Sequence, residues 1–183
     1  MTHFIELTVN IKKSYKLAEA FNSSFRSIHN QLVKTSLSEV GLSFPDYGEY
    51  LGHSIRLHGT AEQLSVFHGK SWLGQHALTI HHSDIQPIPT QVSHATFSRV
   101  QQNQSASKLR RFISRNQPTD EQIRAYKAKM HQSGLQEPFV ELKSSSTEQL
   151  HRIYIRKEMK DSAQAGSFTS YGLSKDGSTV PVF

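Results

Sequence analysis

Between Ser14 and Lys34, the residues Leu17, Phe21, Phe25, Ile28 and Leu32 recur at spacings of three and four, which puts five large apolar side chains on one side of a helix. Such a face must be covered by other parts of the chain. The flanking segments read as the cover. Phe4 to Val9 alternates as a half-buried strand does, and Val40 to Phe44 and Ser54 to His58 read as two more strands, separated by Pro45 and a polar turn at Asp46 to Glu49. Thr60 caps a short helix with Leu64 and Phe67 on its apolar side, and His76 to His82 alternates as a fourth strand. The order β-α-β-β-α-β predicts an α+β chain whose N-terminal domain, residues 1–90, is ferredoxin-like (RRM-like). The aromatics that RNA-recognition sheets use for stacking bases are not evident on its central strands, so stacking on this sheet is not expected.

Pro87 and Pro89 mark the expected boundary. Residues 91–183 read as a smaller mixed α/β domain. Its candidate strands are Gln91 to Gln101, Pro138 to Lys143, Leu150 to Arg156, Gly166 to Tyr171 and Thr179 to Val182, and its helices are Ser105 to Asn116 and Thr119 to Gln132. The second helix opens on Thr-Asp-Glu-Gln, a capping pattern. In the first, Lys108, Arg111 and Arg115 share one side with Arg110 nearby, while Leu109, Phe112 and Ile113 form the other. A charged side of this kind is ordinarily a solvated surface. Here, however, no acidic residue lies between Arg99 and Arg115 to neutralise it. The whole chain carries 21 Lys and Arg against 15 Asp and Glu, a formal net charge of +6 that suits a polyanionic partner.

Several chemistries are excluded or lack support. With no cysteine, the chain has no disulfide, no thiolate zinc site and no cysteine nucleophile, which fits a cytoplasmic protein. No apolar run approaches the roughly 20 residues of a membrane span, and the alternating start is unlike a signal peptide, so no membrane association is expected. Gly69 to Gly74 misses the nucleophile-elbow spacing by one residue. Gly172 to Gly177 lacks the Gly-Lys-Ser/Thr ending of a P-loop, and the histidines at 53, 58, 68, 81 and 82 form no zinc-binding frame. No metal or other cofactor is expected.

The remaining candidates are polar residues with two readings each. His29, on the flank of the apolar helix face, reads as a half-buried structural histidine or as a general base, since its ordinary pKa of about 6.5 suits proton transfer near neutrality. Lys143-Ser144-Ser145-Ser146-Thr147 reads as a polar hairpin turn, and Tyr171 as a core tyrosine. Taken in order, several stretches of the chain resemble the CRISPR repeat-processing endoribonucleases of type I-F systems. They are Ser27-Ile28-His29-Asn30-Gln31-Leu32, Val40-Gly41-Leu42-Ser43-Phe44-Pro45-Asp46, Ser98-Arg99-Val100-Gln101, the arginine-bearing helix, the Ser144 to Gln149 turn and Phe168-Thr169-Ser170-Tyr171-Gly172-Leu173-Ser174.

This resemblance, which spans nearly the whole chain, implies cleavage of CRISPR precursor RNA at the 3′ base of each repeat hairpin without a metal. Attack by the RNA's own 2′-OH would leave a 2′,3′-cyclic phosphate and a 5′-hydroxyl. It assigns His29 as general base, Ser144 as the group orienting the nucleotide that carries the 2′-OH, with Ser146 in support, and Tyr171 as the residue holding the histidine. It makes Lys108, Arg110, Arg111 and Arg115 hairpin contacts, Arg99 and Gln101 readers of base edges at the stem bottom, and His151 a platform beneath the terminal base pair. Phe112 and Asn116 stand where relatives can carry arginine. The implied partners are the repeat hairpin, which is retained after cleavage, and the other subunits of the type I-F surveillance complex. A hairpin-binding subunit without catalysis is the alternative.

Overall fold

Strand β1 (His3–Val9) lies inside the first sheet because Ile5, Leu7 and Val9 are all buried and both its edges are paired. A computed structural model describes residues 1–11, 14–101, 106–132, 136–143 and 148–183. In it, β2 (Gly41–Ser43), β3 (Ser54–Gly59) and β4 (Ile80–His82) join β1 in the order β2-β3-β1-β4, every pairing antiparallel. The two-residue β5 (Gln86–Pro87) extends the sheet beside the start of β1. Helix α1 (Ser14–Thr35) buries Ala20, Phe21, Phe25, Ile28 and Leu32, the side its spacing predicts, with Leu17 half-buried at the margin. Helix α2 (Ala61–Ser65) starts in a complete capping box: the Gln63 N–H donates to Thr60 Oγ1 at 3.2 Å and the Thr60 N–H to Gln63 Oε1 at 2.8 Å.

The second sheet comprises β6 (Ser93–Val100), β7 (Phe139–Lys143), β8 (Leu150–Lys160) and β9 (Val180–Val182) in the order β7-β8-β6-β9, again all antiparallel. Helices α3 (Ala106–Asn116) and α4 (Asp120–Gln132) follow β6, and Thr119 and Gln122 form the expected capping box at the start of α4. The chain is thus a mixed α+β protein with two antiparallel sheets, compatible with a ferredoxin-like arrangement. One apolar cluster runs through both halves: Phe25, Phe44 and Leu57 from the first join Phe97, Ile155, Leu173 and Val180 from the second. Phe44 meets Phe97 edge to face, their centroids 5.5 Å apart. Gly41 lets β2 lie close to the second half, since a Cβ there would come within 2.6 Å of Phe168 and 2.5 Å of Val180.

Two expected strands are different in the structure. Only Ile80–His82 of the His76 to His82 run is strand, and Ser71–Thr79 forms 3₁₀ turns interrupted by Gly74 at φ 62°. The pairing edge is the reason. β1 ends at Val9 opposite Ile80, and Asn10 N–H to Thr79 O is the last bond of the ladder, so Leu78 has no strand beside it and is 98% exposed. The Gly166 to Tyr171 segment is likewise no strand. Its strand-type pairing among the described residues is an isolated bridge between Phe168 and Ser174, and between them the chain reverses, Gly172 N–H donating to Thr169 O and Thr169 N–H to Leu173 O, each at 2.8 Å.

His58 on β3 is fully buried against Phe4 and Phe183, with Nε2 2.8 Å from Ser43 Oγ and Nδ1 without a partner among the described residues. Burial, then the positive charges of Arg56 and the N-terminus, lower its pKa from 6.5 to about 3. Above pH 6.5 neither folded nor unfolded chain protonates this residue. As the pH falls toward 3, only the unfolded chain takes up the proton, so stability is lost in that window. The loss approaches about 1.4 kcal/mol per pH unit, or roughly 2 kcal/mol between pH 6.5 and 5. Urea unfolding of the native chain and of His58→Gln, which cannot titrate, should therefore show the native chain losing the more stability on acidification; parallel losses would remove His58 as the cause.

Candidate active site

His29 sits in the second half of α1, half-buried, where the helix meets the turn after Phe168. Its Nδ1 lies 2.7 Å from the backbone oxygen of Ser170. A carbonyl only accepts, so Nδ1 carries the hydrogen and donates it. In the neutral ring this leaves Nε2 with its lone pair free, the state a general base requires. The Tyr171 ring stacks on the imidazole with centroids 4.1 Å apart and planes 14° from parallel, and Phe25 lies on Tyr171's stack at 6.0 Å and 12°. Phe25 belongs to the core. The histidine is therefore held at its edge by a carbonyl and on its face by a ring anchored to buried packing.

The turn that supplies both contacts is fixed by local chemistry. Thr169 Oγ1 accepts from the Tyr171 N–H at 3.3 Å and the Leu173 N–H at 3.2 Å, and Gly172 adopts φ 68°. The Gly172 carbonyl then accepts from the Leu42 N–H at 2.8 Å, which ties the turn to the edge of the first sheet.

His29 and Tyr171 open onto a cavity of about 380 Å3 that Arg26 and Asn30 of α1 also line. Its other wall comes from the second sheet: Leu142 and Lys143 of β7, then Glu148 and, on β8, His151. Lys143 Nζ pairs with Glu148 Oε1 at 3.5 Å. Ser144 and Ser146 lie outside the described residues; Lys143 and Glu148, on either side of residues 144–147, both line the cavity. His29, Tyr171 and His151 are thus brought together from three distant parts of the chain. Among the described residues, no group of three or more His, Cys, Asp or Glu converges as a metal site would require.

The other candidates are not among the residues lining this cavity. Arg99 is exposed near the end of β6, opposite Ile155 in register, and Gln101 is exposed just beyond the strand. Lys108, Arg110, Arg111 and Arg115 are all exposed on α3, whose Leu109 is buried. Phe112 stacks on Tyr126 of α4 at 5.7 Å and 18°, packing the helix pair together. Sequence reasoning missed three participants: the Ser170 carbonyl, the Lys143–Glu148 pair and Arg26. A backbone oxygen leaves no trace in a side-chain pattern. Arg26 could have been found, because a residue three before a helical histidine is its neighbour on the helix surface.

Fold and site together define an α+β protein of two antiparallel sheets with a cleft in which an oriented histidine can exchange a proton. Residues 4–183 match the family model described as CRISPR-associated protein (Cas_Csy4). The chain belongs to that family. It is 30% identical over 188 residues to the CRISPR-associated endonuclease Cas6/Csy4 of Pseudomonas aeruginosa (strain UCBPP-PA14) and 29% identical over 185 residues to the protein of that name from Escherichia coli (strain UTI89 / UPEC), with 100% of this chain and of each relative covered. No helix among the described residues is long and apolar enough to cross a membrane.

Proposed function

We propose that this chain is a metal-independent endoribonuclease that cleaves CRISPR precursor RNA at the 3′ base of the repeat hairpin and keeps the product as a subunit of a type I-F surveillance complex in the cytoplasm. Residues 1–90 act as a ferredoxin-like βαββαβ domain carrying His29, and residues 91–183 grip the hairpin. The observation that carries the reading is the Nδ1–H bond from His29 to Ser170 O, at 2.7 Å, which leaves the lone pair on Nε2 in a histidine that lines the cleft. That the curated relatives are named endonucleases agrees with it.

In the reaction, the 2′-OH of the nucleotide before the cut gives its proton to His29 Nε2 as O2′ bonds to phosphorus. The bond from phosphorus to O5′ breaks, and O5′ takes up a proton from solvent. The products are a 2′,3′-cyclic phosphate and a 5′-hydroxyl, and no oxidant or metal is consumed. Ser144 and Ser146 orient the attacking nucleotide, and Tyr171 holds the base. His151 lies under the terminal base pair, Arg99 and Gln101 read the stem bottom, and Lys108, Arg110, Arg111 and Arg115 hold the stem through its phosphates and guanine edges.

The test is cleavage of a repeat hairpin in EDTA, beside the same hairpin with a single 2′-deoxy nucleotide at the cut. The all-ribose hairpin should be cut to the stated ends, and the deoxy form should bind nearly as well but stay intact. Cutting of the deoxy form would sink the 2′-OH mechanism. Binding of both hairpins with cutting of neither would leave a hairpin-recognition subunit without catalysis.

A further inference from the structure

Arg26 stands one helical turn before His29, is exposed, and lines the same cavity. It has no hydrogen-bond or ion-pair partner among the described residues. The other fixed cation of that cavity, Lys143, is opposed by the Glu148 carboxylate at 3.5 Å. Arg26 also borders a second pocket farther down α1, where the Glu141 carboxylate is already engaged by Arg152 Nε at 2.9 Å and Glu19 is exposed. Its guanidinium is thus a charge bordering the reacting region and not consumed by a pair with any other described residue.

Attack of O2′ on phosphorus adds negative charge to the phosphoryl oxygens before the bond to O5′ has broken. The proton that His29 takes up makes it an imidazolium beside O2′, not at the non-bridging oxygens, and the faces of Tyr171 and Leu142 are neutral. A planar guanidinium meets that need, because it donates two parallel hydrogen bonds to phosphate oxygens and is always charged. We infer that Arg26 is a further catalytic residue, its guanidinium binding the non-bridging oxygens of the scissile phosphate and stabilising the charge that develops there. The inference rests on the endoribonuclease reading of the same cleft.

The test is single-turnover cleavage of the repeat hairpin by native protein, Arg26→Ala and Arg26→Lys, with Lys34→Ala as a control that removes a charge from the exposed end of the same helix. Arg26→Ala should cleave about 10- to 100-fold more slowly, the range for losing a charged hydrogen bond in the transition state, with little change in affinity for the uncleavable 2′-deoxy hairpin. Arg26→Lys should recover part of the rate, and Lys34→Ala should match the native protein. Sulfur in place of one non-bridging oxygen at the cut should slow the native protein and have a smaller further effect on Arg26→Ala. Equal rates for native and Arg26→Ala, or a loss of rate matched by an equal loss of binding or by Lys34→Ala, would overturn the role of Arg26 while leaving the endoribonuclease reading intact. If the native protein binds the hairpin without cutting it, both fall.

Discussion

Replacing His29 by alanine is expected to slow hairpin cleavage about a thousandfold, within the range for loss of a general base, while leaving hairpin affinity nearly unchanged. Binding should survive because Lys108, Arg110, Arg111 and Arg115, the proposed hairpin contacts, are not among the residues lining the cavity, and because the buried side of α1 is carried by Phe25, Ile28 and Leu32 rather than by the half-buried His29. Affinity measured with a 2′-deoxy hairpin and single-turnover rates in EDTA separate the two effects. A His29→Ala protein that cuts at the native rate would make His29 structural and return the cleft to an unknown role. A protein that no longer binds would place His29 in hairpin recognition instead.

Gly172→Ala should be the most damaging conservative change in the turn. A Cβ at that position would lie 2.5 Å from Leu42 Cγ, and φ 68° is a conformation that alanine adopts only under strain. Steric and torsional costs together are about 2–4 kcal/mol, enough to lower Tm by roughly 5–10 °C in a chain of this size. The chemistry should suffer as well. Relief of the clash moves Gly172 away from Leu42, whose N–H bonds the Gly172 carbonyl, and so shifts the adjacent Ser170 and Tyr171 that hold the imidazole. Cleavage assayed well below the melting temperature should therefore fall more than hairpin affinity does. An unchanged Tm together with a native rate would show that the turn relaxes freely and is not what orients His29.

Much of the fold was legible before any coordinates because it rests on local rules. The spacing of Leu17, Phe21, Phe25, Ile28 and Leu32 names the buried side of α1, Thr60 and Thr119 mark helix starts by a capping chemistry confined to four residues, and the alternation in Phe4 to Val9 marks a strand. The amphipathic character of α3 was legible in the same way. His29 was legible only through the likeness of its surroundings to a known family, since periodicity places it on the margin of a helix and says nothing of what faces it.

What remained was decided by partners far away in the chain. Whether His76 to His82 became strand depended on where β1 stopped, and whether Gly166 to Tyr171 became strand depended on Thr169 closing a turn on Leu173. The site is the clearest case. His29 receives its orientation from Ser170, its stacking from Tyr171, and its cavity wall from β7 and β8, all more than a hundred residues away. A residue pattern records which side of an element avoids water, because that depends on the element alone. It does not record which carbonyl or charge will stand opposite, because that is set by how the two sheets close around their shared core. By itself, the sequence determined most of the elements, the polarity of the basic helix, the family and the place of Arg26 one turn before His29; the tertiary structure alone decided which nitrogen of His29 carries the hydrogen and which distant residues wall its cavity.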